Sequence, residues 1–299
     1  MIIALAQFSP APDRHANLES IRRYALQAVS DGAEMVVFPE YSSFFTGELD
    51  QHMRDAAEPL DGPFCSGVAA LAEELGVAII AGMLRGSGHS DRSPTNTLIA
   101  VGADGELLCT YDKIHLYDSF NARESDVIAA GSSDQHPVFS FGAFTIGLQT
   151  CFDLRFPEAS RRLVDCGADV LVVPAQWVPG PRKIEHWKTL LEARAIENTC
   201  FVLGADQSSP WGVGHSLALA PDGTVIAEAD SEPTLIKARL SMERLERVRR
   251  TNPSVLLRRY REQPALASGD TGEASIPDHS RGRQDRITAA PPDPHGRSD

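Results

Sequence analysis

Apolar residues along this chain keep two rhythms. In NLESIRRYALQAVSD (residues 17–31), Leu18, Ile21, Ala25 and Val29 fall at the three- and four-residue spacings of one helix face. In FTIGLQ (144–149), Phe144, Ile146 and Leu148 alternate as a half-buried strand requires. The opening MIIALAQ reads as a further core strand, and VLVVP (170–174) lacks a polar face, as expected of a strand covered on both sides.

These elements recur in the same order. GAEMVVFPE (32–40) and GADVLVVPA (167–175) match in form: a glycine suited to a helix C-cap, an apolar strand, then proline. The helix before the second copy is PEASRRLVDC. The first copy is followed by a helix, PFCSGVAALAEELG, the strand VAIIAG, and a hairpin, NTLIAVGADGELLCTYD. The second is followed by KIEHWKTLLEARAIEN, TCFVLGA and GHSLALAPDGTVIAEA. Both hairpins turn on Asp-Gly. The doubling predicts an α/β fold of two mixed sheets packed face to face, with helices covering the outsides. Two independent α/β domains are the alternative, although no Pro-, Gly- or Ser-rich linker separates the halves. We expect one domain over residues 1–262. From about residue 264 large apolar side chains become sparse, so residues 263–299 are expected to form a disordered tail.

Charge and cysteine usage narrow the function. The 299-residue chain carries a net charge of −13, which opposes binding to a phosphate backbone. No apolar run approaches the roughly 20 residues of a membrane span. The five cysteines, Cys65, Cys109, Cys151, Cys166 and Cys200, are scattered without CxxC or Cys/His metal spacing. That argues against a disulfide framework or a structural zinc, and for a reducing, cytoplasmic setting. There is no Gly-x-Ser-x-Gly elbow and no specific Gly-rich phosphate loop.

Three reactive groups stand where apolar strands end: Glu40 after MVVFP, Lys113 after LLCTYD, and Cys151 after FTIGLQT. By position alone Cys151 is either a small packing residue or a nucleophile. A free thiol of pKa about 8.5 needs a base or nearby cations to react at neutral pH. Glu40 suits the first role; Lys113 suits the second, stabilising a thiolate and then an oxyanion.

FPE ending at Glu40, YDKIHL around Lys113 and TCFDLRFPE around Cys151 together resemble the nitrilase superfamily of carbon–nitrogen hydrolases, over about residues 1–260. The resemblance implies a four-layer α-β-β-α sandwich with an internal pseudo-two-fold repeat, and a Glu-Lys-Cys triad at Glu40, Lys113 and Cys151. It implies that Glu124, in RESDVIAAG, holds Lys113, and that the Phe152 N–H joins Lys113 in binding an oxyanion. No cofactor or metal is implied, and a homodimer or larger homo-oligomer is. PAQWVPGPRKIEHWKTLLEARAIEN is similar to the Nit-type branch, whose members cleave small carboxylate-bearing amides such as deaminated glutathione or 2-oxoglutaramate. This chain lacks the short Ser-Ala-Phe-like segment common there, which leaves the substrate open.

The expected activity is therefore amide hydrolysis through a thioester. Nitrile or carbamoyl hydrolysis or acyl transfer by the same triad is the alternative, and a noncatalytic binding protein a more distant one. Trp177 is either a pocket wall or core. Arg155 and Arg182 are candidate partners for a substrate carboxylate, with surface roles expected for both. His115, His186 and the remaining cysteines are expected to be structural.

Overall fold

The computed structural model describes residues 1–86 and 93–260. The expected tail, 263–299, lies outside the described residues. In the first half, β1 (Ile2–Gln7), α1 (Arg14–Ser30) and β2 (Met35–Val37) are followed by a short α2 (Gln51–Asp55), α3 (Pro63–Leu75), β3 (Ala78–Arg85), β4 (Thr95–Val101) and β5 (Leu107–Asp112). The second half runs β6 (Val138–Phe141), β7 (Phe144–Leu148), α4 (Pro157–Asp165), β8 (Val170–Ala175), α5 (Lys183–Asn198), β9 (Phe201–Asp206), β10 (Leu217–Leu219) and β11 (Val225–Glu228). Then come β12 (Thr234–Arg239), α6 (Met242–Thr251) and α7 (Ser254–Leu257).

The strands form two six-stranded sheets, ordered β12-β1-β2-β3-β4-β5 and β11-β10-β9-β8-β7-β6. In each sheet the central strands are parallel (β1-β2-β3 and β7-β8-β9) and the flanking ones antiparallel. Three apolar layers follow from the alternation of side chains. Ile3, Val37 and Ile80 of one sheet meet Ile146, Val172 and Leu203 of the other. The opposite face of the first sheet packs Val36 and Ile79 against Ile21, Phe64 and Val68 of α1 and α3. Leu171, Val173 and Val202 pack likewise on Leu163, Trp187 and Leu191 of α4 and α5. Helix, sheet, sheet, helix is the expected four-layer sandwich.

The local signals act as anticipated in most places. Asp-Gly turns place Gly105 and Gly223 at φ +78° and +82°, where a Cβ would be strained. Gly76 ends α3 in the left-handed conformation. On α1 the buried face is rotated from the predicted one. Ile21 and Ala25 are buried, but Tyr24 and Ala28 accompany them, while Leu18 and Val29 sit at the layer's margin. The register also brings in β12, whose TLIKAR pairs antiparallel with β1 although 232 residues separate Ile2 from its partner's start at Thr234.

Candidate active site

Glu40, Lys113 and Cys151 follow β2, β5 and β7, and the sandwich brings all three into one buried cluster. Glu40 is reached through Pro39, and its backbone passes directly over β3. A Cβ on Gly82 would lie 2.6 Å from the Tyr41 nitrogen and 2.8 Å from the Glu40 Cα, so only glycine fits there. The side chain of Gln207 donates to the Glu40 carbonyl at 2.9 Å, tying this segment to the end of β9.

Every oxygen of the Glu40 carboxylate is engaged. Oε1 accepts from Lys113 Nζ at 2.9 Å and Asn96 Nδ2 at 2.6 Å, and Oε2 accepts from the Gln176 N–H at 2.6 Å. Glu124 mirrors it. One oxygen accepts from the Tyr41 hydroxyl at 2.5 Å and Asn96 at 3.1 Å, the other from Lys113 Nζ at 2.8 Å and the Tyr117 N–H at 2.6 Å. Lys113 therefore bridges two carboxylates, all three groups being at most 2% exposed.

Such burial displaces the titrations of Glu40 and Lys113. Desolvation lifts the Glu40 pKa, Lys113 draws it back, Glu124 lifts it again, and the balance is above the ordinary carboxylate range. For Lys113 burial works against the charge, but Glu124 and Glu40 outweigh it and hold the pKa well above lysine's usual value.

Cys151 stands at φ +45°, outside the conformations its neighbours in β7 adopt, on the first residue of a one-turn 3₁₀ helix. Asp153 fixes this elbow. Its carboxylate accepts from the Thr150 N–H at 2.9 Å, the Tyr111 hydroxyl at 2.7 Å and the His115 N–H at 3.1 Å. His115 Nδ1 lies 2.7 Å from the same carboxylate, and its ring stacks on Phe156 at 3.8 Å. His115 thus has the structural role expected of it. The Cys151 thiol lies 3.6 Å from the Gln176 carbonyl. Burial and then the Glu40 charge push its pKa well up, and Lys113 only partly offsets them. This balance favours the neutral thiol, so Cys151 needs a base before it can act as a nucleophile.

A narrow cleft beside the thiol, with a cavity volume of only ≈ 10 Å³, is lined by Tyr117, Phe152, Arg155, Gln176, Trp177 and Lys183, among others. Trp177 answers both alternatives. It lines this cavity, yet it is 3% exposed, packs 5.2 Å from the Trp187 ring and donates its indole N–H to the Lys183 carbonyl. Arg155 departs from the surface role expected of it: its guanidinium lies over the rings of Trp177, Phe120 and Phe152. Arg182 is exposed, as expected.

Several participants escaped the sequence reading. Tyr41, Asn96, Tyr117, Gln176 and Lys183 belong to the cluster or the cavity, as does Asp206, whose Oδ1 accepts from the Trp177 N–H at 2.7 Å. Two of them carried a legible signal. Asp206 ends the otherwise apolar run FVLGAD, and Lys183 places a cation at the start of a helix, against the macrodipole. Among the described residues the cysteines are free, no group of three or more His, Cys, Asp or Glu is placed to hold a metal, and no helix is long and apolar enough to cross a membrane.

The whole of this architecture has known counterparts. Residues 2–250 match the carbon–nitrogen hydrolase family. A Mycobacterium tuberculosis hydrolase is 37% identical over 83% of this chain and 92% of its own length. Deaminated glutathione amidase of Escherichia coli O157:H7 is 33% identical over 87% of this chain and 98% of its own. Among solved structures, an amidase of Nesterenkonia sp. AN1 superposes with a TM-score of 0.73 at 25% identity, covering 87% of this chain and 94% of that one. In that structure the acetamide moiety of fluoroacetamide is covalently added at the active-site cysteine. The chain belongs to the carbon–nitrogen hydrolase family, in the Nit-type part of the nitrilase superfamily. It is accordingly a hydrolase of C–N bonds.

Proposed function

We propose that the protein is a cysteine amidase that hydrolyses a small carboxylate-bearing amide, of the deaminated-glutathione or ω-amidase type, without a cofactor. The observation that carries the reading is the Glu40 carboxylate, buried in the same cluster as Cys151 with its oxygens held by Lys113 Nζ at 2.9 Å and the Gln176 N–H at 2.6 Å. A carboxylate of raised pKa in that position can both take and return a proton near neutrality.

In the first half-reaction Cys151 Sγ attacks the amide carbon while Glu40 takes the thiol proton. The oxyanion is bound by the Lys113 ammonium and the Phe152 N–H. As the C–N bond breaks, Glu40 gives its proton to the departing nitrogen, so ammonia or an amine leaves and a thioester remains. Water then attacks the thioester carbon and yields a proton to Glu40. Collapse of the second tetrahedral species releases the acid, and Cys151 regains the proton from Glu40. Glu124 touches no substrate in this scheme; with Asn96 and Tyr41 it positions Lys113 and Glu40. The names of the relatives support the amide class, and the reading extends to a cytoplasmic homodimer with no nucleic-acid or membrane partner.

The test is release of amine or ammonia from deaminated glutathione and from ω-amides such as 2-oxoglutaramate, with Cys151→Ala in parallel. Release abolished by the substitution supports the amidase. No release by a folded protein whose Cys151 still alkylates would redirect the triad to a nitrile, a carbamoyl compound or acyl transfer.

A further inference from the structure

Asp206 is a buried acid for which the reaction scheme has no use. It closes β9 with no exposure to solvent, and no ion pair reaches it among the described residues. Its Oδ1 accepts from the Trp177 N–H at 2.7 Å, whereas Oδ2 has no hydrogen-bond partner. Gly212 closes that side, since a Cβ there would stand 3.0 Å from Oδ2. A charge so placed would be desolvated with a single donor to answer it. Burial lifts the Asp206 pKa well above the carboxylate range, the Trp177 N–H opposes this only in part, and Glu40 adds to it. At neutral pH Asp206 is an uncharged acid.

The peptide it holds touches the reacting groups. The Trp177 N–H and the Gln176 carbonyl belong to one planar trans unit, so they point in opposite directions. The carbonyl lies 3.6 Å from Cys151 Sγ while the N–H meets Asp206. The N–H of the preceding unit, that of Gln176, donates to Glu40 at 2.6 Å. That preceding unit is clamped from its other side, where the Gln207 N–H donates to the Ala175 carbonyl at 3.0 Å. Gln176 thus sits between two fixed peptides, and Asp206 supplies the clamp on the second.

We infer that Asp206 is a positioning residue for the Cys151 reaction: it fixes the Gln176–Trp177 peptide so that the Gln176 carbonyl faces the thiol and the Gln176 N–H stays on Glu40. The inference rests on the amidase reading, and adds to Glu124 a second acid that touches no substrate, uncharged and placed in the half that supplies Cys151. The titratable groups around Glu40 are Lys113, Glu124, Tyr41 and Cys151. None of them changes charge when an uncharged Asp206 gives way to an uncharged residue, so a displaced pH profile reports the hydrogen bonds. The Gln176 N–H helps to hold the Glu40 pKa down, and slackening it raises that pKa.

The deciding experiment compares Asp206→Asn and Asp206→Leu with the wild type in the full chain. It reads kcat, KM and the acid limb of kcat/KM on an amide that the wild type hydrolyses. Alkylation of Cys151 by iodoacetamide is followed by mass spectrometry over the same pH range. The asparagine oxygen can still accept from the Trp177 N–H, so Asp206→Asn should keep kcat and the limb nearly unchanged. Asp206→Leu removes the acceptor and should lower kcat by about tenfold to a hundredfold with KM little altered, the cost of misaligned reacting groups. Its limb should move to higher pH. A folded Asp206→Leu with wild-type kcat, or with its limb unmoved or lowered, overturns the inference. An Asp206→Asn as slow as Asp206→Leu also overturns it, as does a limb lowered in Asp206→Asn, the mark of a charged Asp206. Hydrolysis of no amide, by a folded wild type whose Cys151 alkylates, removes the amidase reading alone. Alkylation then decides: slowing in Asp206→Leu but not in Asp206→Asn supports the positioning role, and any other pattern overturns it. Should Asp206→Leu not fold, Asp206→Asn decides by itself, wild-type kcat and limb supporting the inference and loss of either overturning it.

Discussion

Phe8 and Cys151 occupy corresponding places in the two sheets. Ile3 of β1 pairs beside Met35 of β2, and Ile146 of β7 beside Val170 of β8. Counting on five residues from each gives Phe8 and Cys151 on one strand, Glu40 and Ala175 on the other. Phe8 is buried filler, set edge-on to Phe38 at 6.1 Å. Cys151 turns at φ +45° into a cavity. Ala175 packs under α5 in the helix-facing core, whereas Glu40 carries two buried hydrogen-bonded oxygens. One residue further on, Gln176 lends its N–H to the carboxylate of the opposite half. The repeated part of the molecule thus supplies packing, and the chemistry is confined to places where the repeat is broken. Neither half holds a complete site: Glu40, Lys113 and Glu124 come with the first sheet, Cys151 and Gln176 with the second.

Substitution at the corresponding pair tests this division most severely. Cys151→Ala should lower kcat/KM by on the order of 10⁵-fold or more while leaving the thermal midpoint nearly unchanged. Phe8→Ala should cost about 3–5 kcal/mol of stability in denaturant titrations and leave the turnover of the folded fraction intact. A large loss of stability in the first, or of turnover in folded molecules of the second, would break the comparison.

Glu40→Gln removes the proton acceptor and should cost roughly 10²–10⁴-fold in kcat. Lys113→Met should lower kcat by about 10²–10³-fold. It should also destabilise by about 3–5 kcal/mol, because two buried carboxylates would face each other without their cation. Stability and rate measured on the same preparation separate the two effects.

The smallest effect expected is a displacement of the pH profile. Since burial and Glu124 raise the Glu40 pKa, the acid limb of kcat/KM should lie above the ordinary carboxylate value of about 4.3. Activity falls as pH drops through that raised pKa, because protonated Glu40 cannot accept the thiol proton. Glu124→Gln removes one of the charges that raise it, so the limb should move to lower pH. Movement to higher pH would contradict the electrostatic assignment.

Much of this was legible before any coordinates. Setting GAEMVVFPE against GADVLVVPA already matches Glu40 with Ala175, the correspondence that the strand registers give. Apolar runs ending in a reactive residue identified Glu40, Lys113 and Cys151, because strand ends leave a local signature. Asn96 left none, since its place between Glu40 and Glu124 depends on the β4-β5 hairpin register and on a loop 28 residues away. Arg155 was misplaced for a related reason: the rings of Phe120 and Trp177 that cover it lie far off in sequence. The rotated face of α1 arises because Tyr24 and Ala28 meet the sheet where Leu18 and Val29 do not.

The antiparallel seam between β1 and β12 has a consequence for the newborn chain. IIALAQ leaves the ribosome well ahead of its partner strand, which begins 232 positions further on, at Thr234. At 5–20 residues per second, one edge of β1 waits roughly ten to fifty seconds for the strand that closes it. During that interval it offers a long apolar edge to any neighbouring chain. Translation speed and chaperone supply should therefore govern the yield of this enzyme more than the stability of the finished sandwich does.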